Sequence, residues 1–217
     1  MDNKIYSKVF GWLFVGLMIV FLGGYLTQSF LLSHLELAKT LYSGIGFWII
    51  IIVELALAFI LSLRIRKMNS LTAKILYILY CIVTGFTFSS IFIMFQLKSI
   101  IFVFLITAVI FGIFAIIGSK LNVDLSKFGL YLFVALIGII IVSIINIFLH
   151  NSTLDIILSI VSILVFTLYI GYDIKIIKEM ANTDINEDNL AIYGAFQLLL
   201  DFINIFIRLL ELFGDNK

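Results

Sequence analysis

Seven stretches of the chain are nearly free of charge and long enough to cross a bilayer: residues 9–30, 45–63, 75–95, 100–119, 128–149, 156–177 and 190–213. A helix needs roughly 20 apolar residues to traverse ~30 Å of hydrocarbon, and it satisfies its own backbone hydrogen bonds while doing so. The breaks between the stretches are short and polar, at residues 33–44, 64–74, 96–99, 120–127, 150–155 and 178–189. None is long enough for a folded extramembrane domain. The pattern predicts an all-α integral membrane protein with seven transmembrane helices in a single domain over residues 1–217. The first stretch exceeds the core of a secretory signal and lacks a small-x-small cleavage site, so it reads as the first span. Asp124 or Ser126 is placed to cap the fifth helix. Asn186–Asn189 reads as a hydrophilic turn between the sixth and seventh spans.

Composition strengthens this picture. Apolar residues make up 63% of the chain and charged residues 12%, against roughly 45–50% and ~25% in soluble domains. A soluble protein of this composition could not cover its surface, so the expected partner of most of the chain is the lipid bilayer. The net charge of +1 argues against nucleic acid. A single cysteine, Cys81, in an apolar run rules out a disulfide framework. Proline is absent, so no span carries a proline kink. Alternate breaks hold ten Lys and Arg on one side (Lys4, Lys8, Arg64, Arg66, Lys67, Lys74, Lys120, Lys127, Lys175, Lys178) and three on the other (Lys39, Lys98, Lys217). The positive-inside rule then sets the N-terminus in the cytoplasm and the C-terminus outside, in a cell inner or plasma membrane. Failure of the polar last segment to cross would leave both ends cytoplasmic.

Ionisable side chains at membrane depth cost roughly 2.5–3.5 kcal/mol each on insertion scales, so each one asks for a reason. Five stand out: Glu54, Asp173, Asp201, Arg208 and Glu211. Asp173 and Asp201 are equidistant from residue 187, inside the turn between spans six and seven. In an antiparallel hairpin they meet at one depth, where two carboxylates cannot both ionise cheaply and share a proton. Gln197, Asp201, Asn204, Arg208 and Glu211 step by four, three, four and three, one polar stripe on the last helix that must turn away from lipid. Such a stripe also serves as interhelical hydrogen-bond glue, and Arg208 with Glu211 reads as a structural pair in which each neutralises the other. Glu54 is open between a functional carboxyl and a buried hydrogen bond. Lys175 is expected to snorkel to the cytoplasmic surface, and Gly11, Gly16, Gly23 and Gly24 to be packing positions on span one.

Tyr172-Asp-Ile-Lys-Ile-Ile177 and Leu199-Leu-Asp-Phe-Ile-Asn-Ile-Phe206 resemble the two signature segments of the Bax inhibitor-1-like family of membrane proteins. The likeness continues in Gly118-Ser-Lys through Asp124-Leu-Ser126 and in Asn146-Ile-Phe148, over nearly the whole chain. The resemblance implies a seventh helix that is central and wrapped by the other six. It also implies the activity of the bacterial branch, a pH-sensitive calcium leak in which Asp173 and Asp201 form a di-aspartyl sensor near the cytoplasmic end. The resemblance also implies a second-helix arginine that braces the pair. The family spacing lands on Ile65, with Arg64 and Arg66 on either side. The chain departs from the pattern at Leu199, where the family has Tyr, and at Glu211, where the family often has Arg while this chain carries Arg208.

The expected function is therefore a passive cation leak, with calcium as the permeating ion and no cofactor. Asp173 and Asp201 would be transient calcium ligands, since a hard divalent cation prefers oxygen. Glu54 and Asn204, with Arg64 and Arg66, are candidates for the ion path or latch. The alternative is a regulatory protein acting on another membrane protein, such as a membrane protease or a cell-death factor, without transport of its own. Eukaryotic relatives restrain cell death, and one bacterial branch modulates a membrane protease. An enzyme is not expected: H-E-x-x-H, G-x-S-x-G and Cys/His metal spacings are all missing.

Overall fold

Runs of Ile, Leu, Phe and Val in lipid have one economical way to pair their backbone groups, and the computed structural model takes it. The structure describes residues 2–42, 44–120 and 128–217, and every regular element among them is helical. In order these are α1 (Asp2–Ser33), α2 (Leu35–Tyr42), α3 (Ile45–Arg64), a 3-10 turn (Ile65–Lys67), α4 (Ser70–Met94), α5 (Leu97–Lys120), α6 (Phe128–Leu149), α7 (Ser152–Met180) and α8 (Glu187–Phe213). All but α2 are long and apolar enough to span a membrane, which gives the seven spans expected. Large apolar side chains such as Ile45, Leu63 and Phe148 point outward, the reverse of a soluble protein and the state lipid favours. The bilayer covers these faces.

Several boundaries differ from the hydropathy reading. Helix α1 extends back through Lys4 and Lys8, because charged residues end a hydrophobic window but not a helix. The break after the first span contains α2, whose alternating charge (Glu36, Lys39) and apolar positions hide a short amphipathic helix from window averaging. Helix α7 begins at Ser152, where Asn151 Oδ1 accepts from the Leu154 N–H at 3.1 Å. Helix α8 begins at Glu187, because Asn186 Oδ1 accepts from the Asp188 N–H at 2.9 Å and caps it. The polar run Asn186–Asn189 is thus a helix start rather than a turn. The proposed caps Asp124 and Ser126 lie outside the described residues.

The chain divides into two compact units. The first holds residues 1–96, 180–199 and 216–217. Within it α1 and α4 pack in the same direction, with ring contacts Trp12–Tyr77, Phe21–Phe88 and Tyr25–Phe92. Small residues permit this approach. A Cβ on Gly23 would sit 3.6 Å from Gly85 Cα, and one on Gly24 3.0 Å from the Phe92 ring. One on Gly16 would collide with Tyr77 Oη, which is fully buried and donates to the Trp12 carbonyl at 2.9 Å. Gly11 breaks this pattern, for a Cβ there meets nothing within 4 Å; of the four glycines expected to pack on α1, this one faces open space.

The second unit holds residues 97–179 and 200–215. Phe104 and Phe111 from α5 meet Phe202 of α8 at 5.2 and 5.8 Å between ring centres. Leu132 and Ile139 of α6 pack with Val165 of α7. The α6–α7 turn is fixed by Asn146, buried on α6, whose Nδ2 donates to the Asn151 carbonyl at 3.2 Å and to Asp155 Oδ1 at 2.5 Å. His150 takes a positive φ of 51° there, the left-handed conformation that ends a helix sharply. Helix α8 is by far the most enclosed span, with 72% of its hydropathy window buried against 44% for the next, α4. Of its polar stripe only Asp201 is buried; Gln197, Asn204 and Arg208 are half-buried and Glu211 is exposed, so the expectation that the whole stripe turns inward holds for Asp201 alone.

Candidate functional site

Asp173 and Asp201 are both in the second unit and both buried, at 5% and 3% exposure. Their carboxyl groups lie within interaction distance of each other. The cause lies in the hairpin: α7 descends to Met180, six residues turn the chain, and α8 returns antiparallel. A second contact repeats the register further along, where Ser159 Oγ donates to Glu211 Oε2 at 3.2 Å. The two contacts centre on residues 187 and 185, so α7 and α8 stay antiparallel neighbours over about three to four turns, with the register drifting by two residues.

The surroundings of the pair are mostly apolar. Tyr169 lies close to both aspartates, and Tyr172 close to Asp173; the two tyrosine rings meet edge to face at 6.3 Å. Gly129 leaves room for the Tyr172 phenol, which a Cβ there would strike. Among the described residues no cation pairs with either aspartate. Lys175, two residues on, is itself enclosed and pairs with Glu179 Oε1 at 3.6 Å. It runs toward the end of α7 as expected but does not reach open solvent. Asp201 Oδ2 has no hydrogen-bond partner within the protein. No group of three or more His, Cys, Asp or Glu that could hold a metal occurs among the described residues.

The rest of the stripe on α8 is distributed as its spacing dictates. Arg208 Nη1 donates to Glu211 Oε2 at 2.8 Å, which makes that pair one turn of helix long as expected. Asn204 Nδ2 donates back to the Leu200 carbonyl at 2.8 Å. Gln197, half-buried in the first unit, keeps a buried Oε1 without a partner.

Glu54 belongs to the first unit. It is half-buried on α3 and accepts a 2.8 Å hydrogen bond from Thr84 Oγ1 of α4, with Thr87 also in reach. Arg64 is exposed at the end of α3, Ile65 is fully buried, and the Arg66 guanidinium stands over the Tyr193 ring at 5.5 Å. The start of α8 is held by a charged cluster that sequence reading missed. Lys74 reaches Asp188 at 2.6 Å, Lys8 reaches Glu187 at 2.8 Å and Asp188 at 3.3 Å, and Lys4 reaches Glu187 at 3.3 Å. Asn189 Nδ2 donates to the Met68 carbonyl at 2.7 Å. No local spacing announces these partners, since they lie more than a hundred residues apart. Ser159 and Thr84 were missed for a different reason: each continues the helical face of an acid or its partner, but hydroxyls barely register in a hydropathy profile.

Comparison with known proteins agrees with this architecture. The model of the family described as inhibitor of apoptosis-promoting Bax1 matches residues 2–217. The chain is 36% identical to the inner membrane protein YbhL of Escherichia coli strain K12, over 97% of this chain and 91% of that one. It is 34% identical to an uncharacterized protein of Borreliella burgdorferi (99% and 93% covered). An uncharacterized membrane protein of Streptococcus pyogenes serotype M1 is 33% identical (99% and 93% covered). With a family match from end to end and relatives of this similarity, the chain belongs to the Bax inhibitor-1 family of membrane proteins.

Proposed function

We propose that this protein is a passive leak for cations, chiefly calcium, whose open population is set by one proton shared between Asp173 and Asp201. The observation that carries this reading is the contact of two buried carboxyl groups on adjacent helices. A hydrogen bond between carboxyls needs a proton on one of them. Removing it leaves two like charges in a medium that screens poorly, and adding a second replaces a charge-assisted bond by a weaker neutral one. Either change loosens α7 from α8. Acidic oxygens facing an interior suit a hard divalent cation passing through. Glu54 is a further carboxyl for the path, and Arg64 or Arg66 a candidate brace. The Lys and Arg asymmetry supports a cytoplasmic N-terminus, and the protein works without enzymatic turnover or cofactor.

The test is calcium flux into liposomes holding the purified protein, across about pH 5.5–8.5, since a proton shared between interacting carboxyls responds to pH. Wild type leaks with a pH-dependent rate. Asp173→Asn with Asp201→Asn removes the shared proton and flattens the profile. An unchanged profile in that double variant would refute the sensor. A wild type silent at every pH would refute the leak and leave regulation of a partner membrane protein as the better reading.

A further inference from the structure

The contact faces of α7 and α8 carry more polar groups than the aspartyl pair uses. On α7, Ser159 and Asp173 both touch α8, so Ser162, Phe166 and Tyr169, spaced by three and four between them, share that face. On α8, Asp201 and Glu211 both touch α7, which places Asn204 and Arg208 on the facing side. All of these residues lie within one unit. At 1.5 Å per residue the face runs roughly 20 Å along α7, most of a hydrocarbon thickness. Two oxygens on it, Ser162 Oγ (0% exposed) and Asp201 Oδ2 (3% exposed), are buried without a partner in the protein. Buried oxygens of this kind are normally satisfied by water or an ion. The seam has the chemistry of a hydrophilic track.

Its far end is closed by charge. Glu211 sits in the last turn of α8 and takes both the Arg208 guanidinium at 2.8 Å and the Ser159 hydroxyl at 3.2 Å on the same oxygen, Oε2. Arg208 is the one cation in the stripe, and a permeating cation must pass it. From this arrangement, and resting on the leak reading above, we infer that Arg208 and Glu211 form a charge-selecting gate at the far end of the α7–α8 seam, with Glu211 drawing the guanidinium aside and cancelling its repulsion of cations. The pair is then a selectivity determinant and not only interhelical glue.

The two roles separate by sign. Glu211→Gln leaves an unopposed guanidinium and lowers calcium flux about 30-fold, the factor one unit charge makes on a divalent ion at ~4 Å in water-like surroundings. Arg208→Gln leaves an unopposed carboxylate and raises flux by a similar factor. The double variant Arg208→Gln with Glu211→Gln returns close to wild type. Melting temperature in detergent is read beside flux, and Arg208→Lys, which keeps the charge, should behave as wild type in both. If the pair were glue alone, both single variants would shift flux in the same direction and the double variant would join them, and that result overturns the inference. A wild type without leak sinks it together with the parent reading. Correct ordering here with an unchanged pH profile in the aspartate variants would sink only the sensor.

Discussion

A close backbone approach in the second unit makes an asymmetric prediction. Helices α5 and α7 meet at Gly118 and Gly171, but the two glycines are not equivalent. A Cβ built on Gly118 falls 2.6 Å from the Gly171 carbonyl oxygen and 2.7 Å from its Cα, distances that real Cβ atoms do not adopt. A Cβ built on Gly171 has as its nearest neighbours Gly118 Cα and the Phe114 carbonyl, both at 3.9 Å. Gly118→Ala must therefore push two backbones apart. Overpacking of this kind costs about 1–3 kcal/mol. At roughly 2–4 °C per kcal/mol for a chain of this size, the melting temperature should drop by about 2–12 °C. Gly171→Ala adds a methyl at van der Waals distance and gains up to about 1 kcal/mol in helix propensity, so it should be neutral to stabilising by about 1 kcal/mol. Thermal unfolding of both variants in the same detergent decides the matter. Equal losses, or a larger loss for Gly171→Ala, would show that α5 and α7 do not meet in this register. Because Asp173 lies two residues past Gly171, Gly118→Ala should also disturb the pH profile of the leak.

Two further outcomes follow from hydrogen bonds and ion pairs described above. Thr84→Val removes a fully buried donor to Glu54 and should cost about 1–3 kcal/mol, whereas Glu54→Gln keeps an acceptor oxygen in place and should cost much less; equal losses on denaturation in detergent would discount the bond. Lys74→Ala breaks a 2.6 Å pair with Asp188 whose side chains are 30% and 39% exposed. It should cost about 0.2–1 kcal/mol at low salt and close to nothing at about 1 M salt, where screening acts within ~3 Å; a loss independent of salt would mean packing, not charge.

How much of this was legible in the chain depends on the length scale of the signal. The spans are local properties of a 20-residue window, and all seven were readable. The aspartyl contact was readable because the polar break between the last two spans is short, which forces an antiparallel hairpin, even though Asn186–Asn189 proved to be the start of α8 rather than the turn itself. The stripe from Gln197 to Glu211 obeys helical spacing, but spacing did not reveal that Asp201 alone of it is buried. Short helix α2 escaped because its apolar and charged positions average to a loop. The cluster tying Glu187 and Asp188 to Lys4, Lys8 and Lys74 escaped because neither spacing nor hydropathy pairs residues so far apart. Gly11 shows the converse error: glycine on a membrane helix suggests close packing, yet only the neighbours decide whether anything packs there.

The enclosure of α8 bears on how the chain is made. Of the seven spans it has the lowest mean hydropathy and the greatest burial, and it is the last to emerge from the ribosome. Asp201, Arg208 and Glu211 each oppose entry into lipid by roughly 2.5–3.5 kcal/mol at mid-depth, a toll the apolar residues of a lone helix would struggle to offset. Residence of residues 187–213 in the membrane is then conditional on helices already inserted, which must offer a sheltered slot. Lesions elsewhere in the bundle should surface first as a mislocated final segment, open to protease, while the earlier spans remain in place.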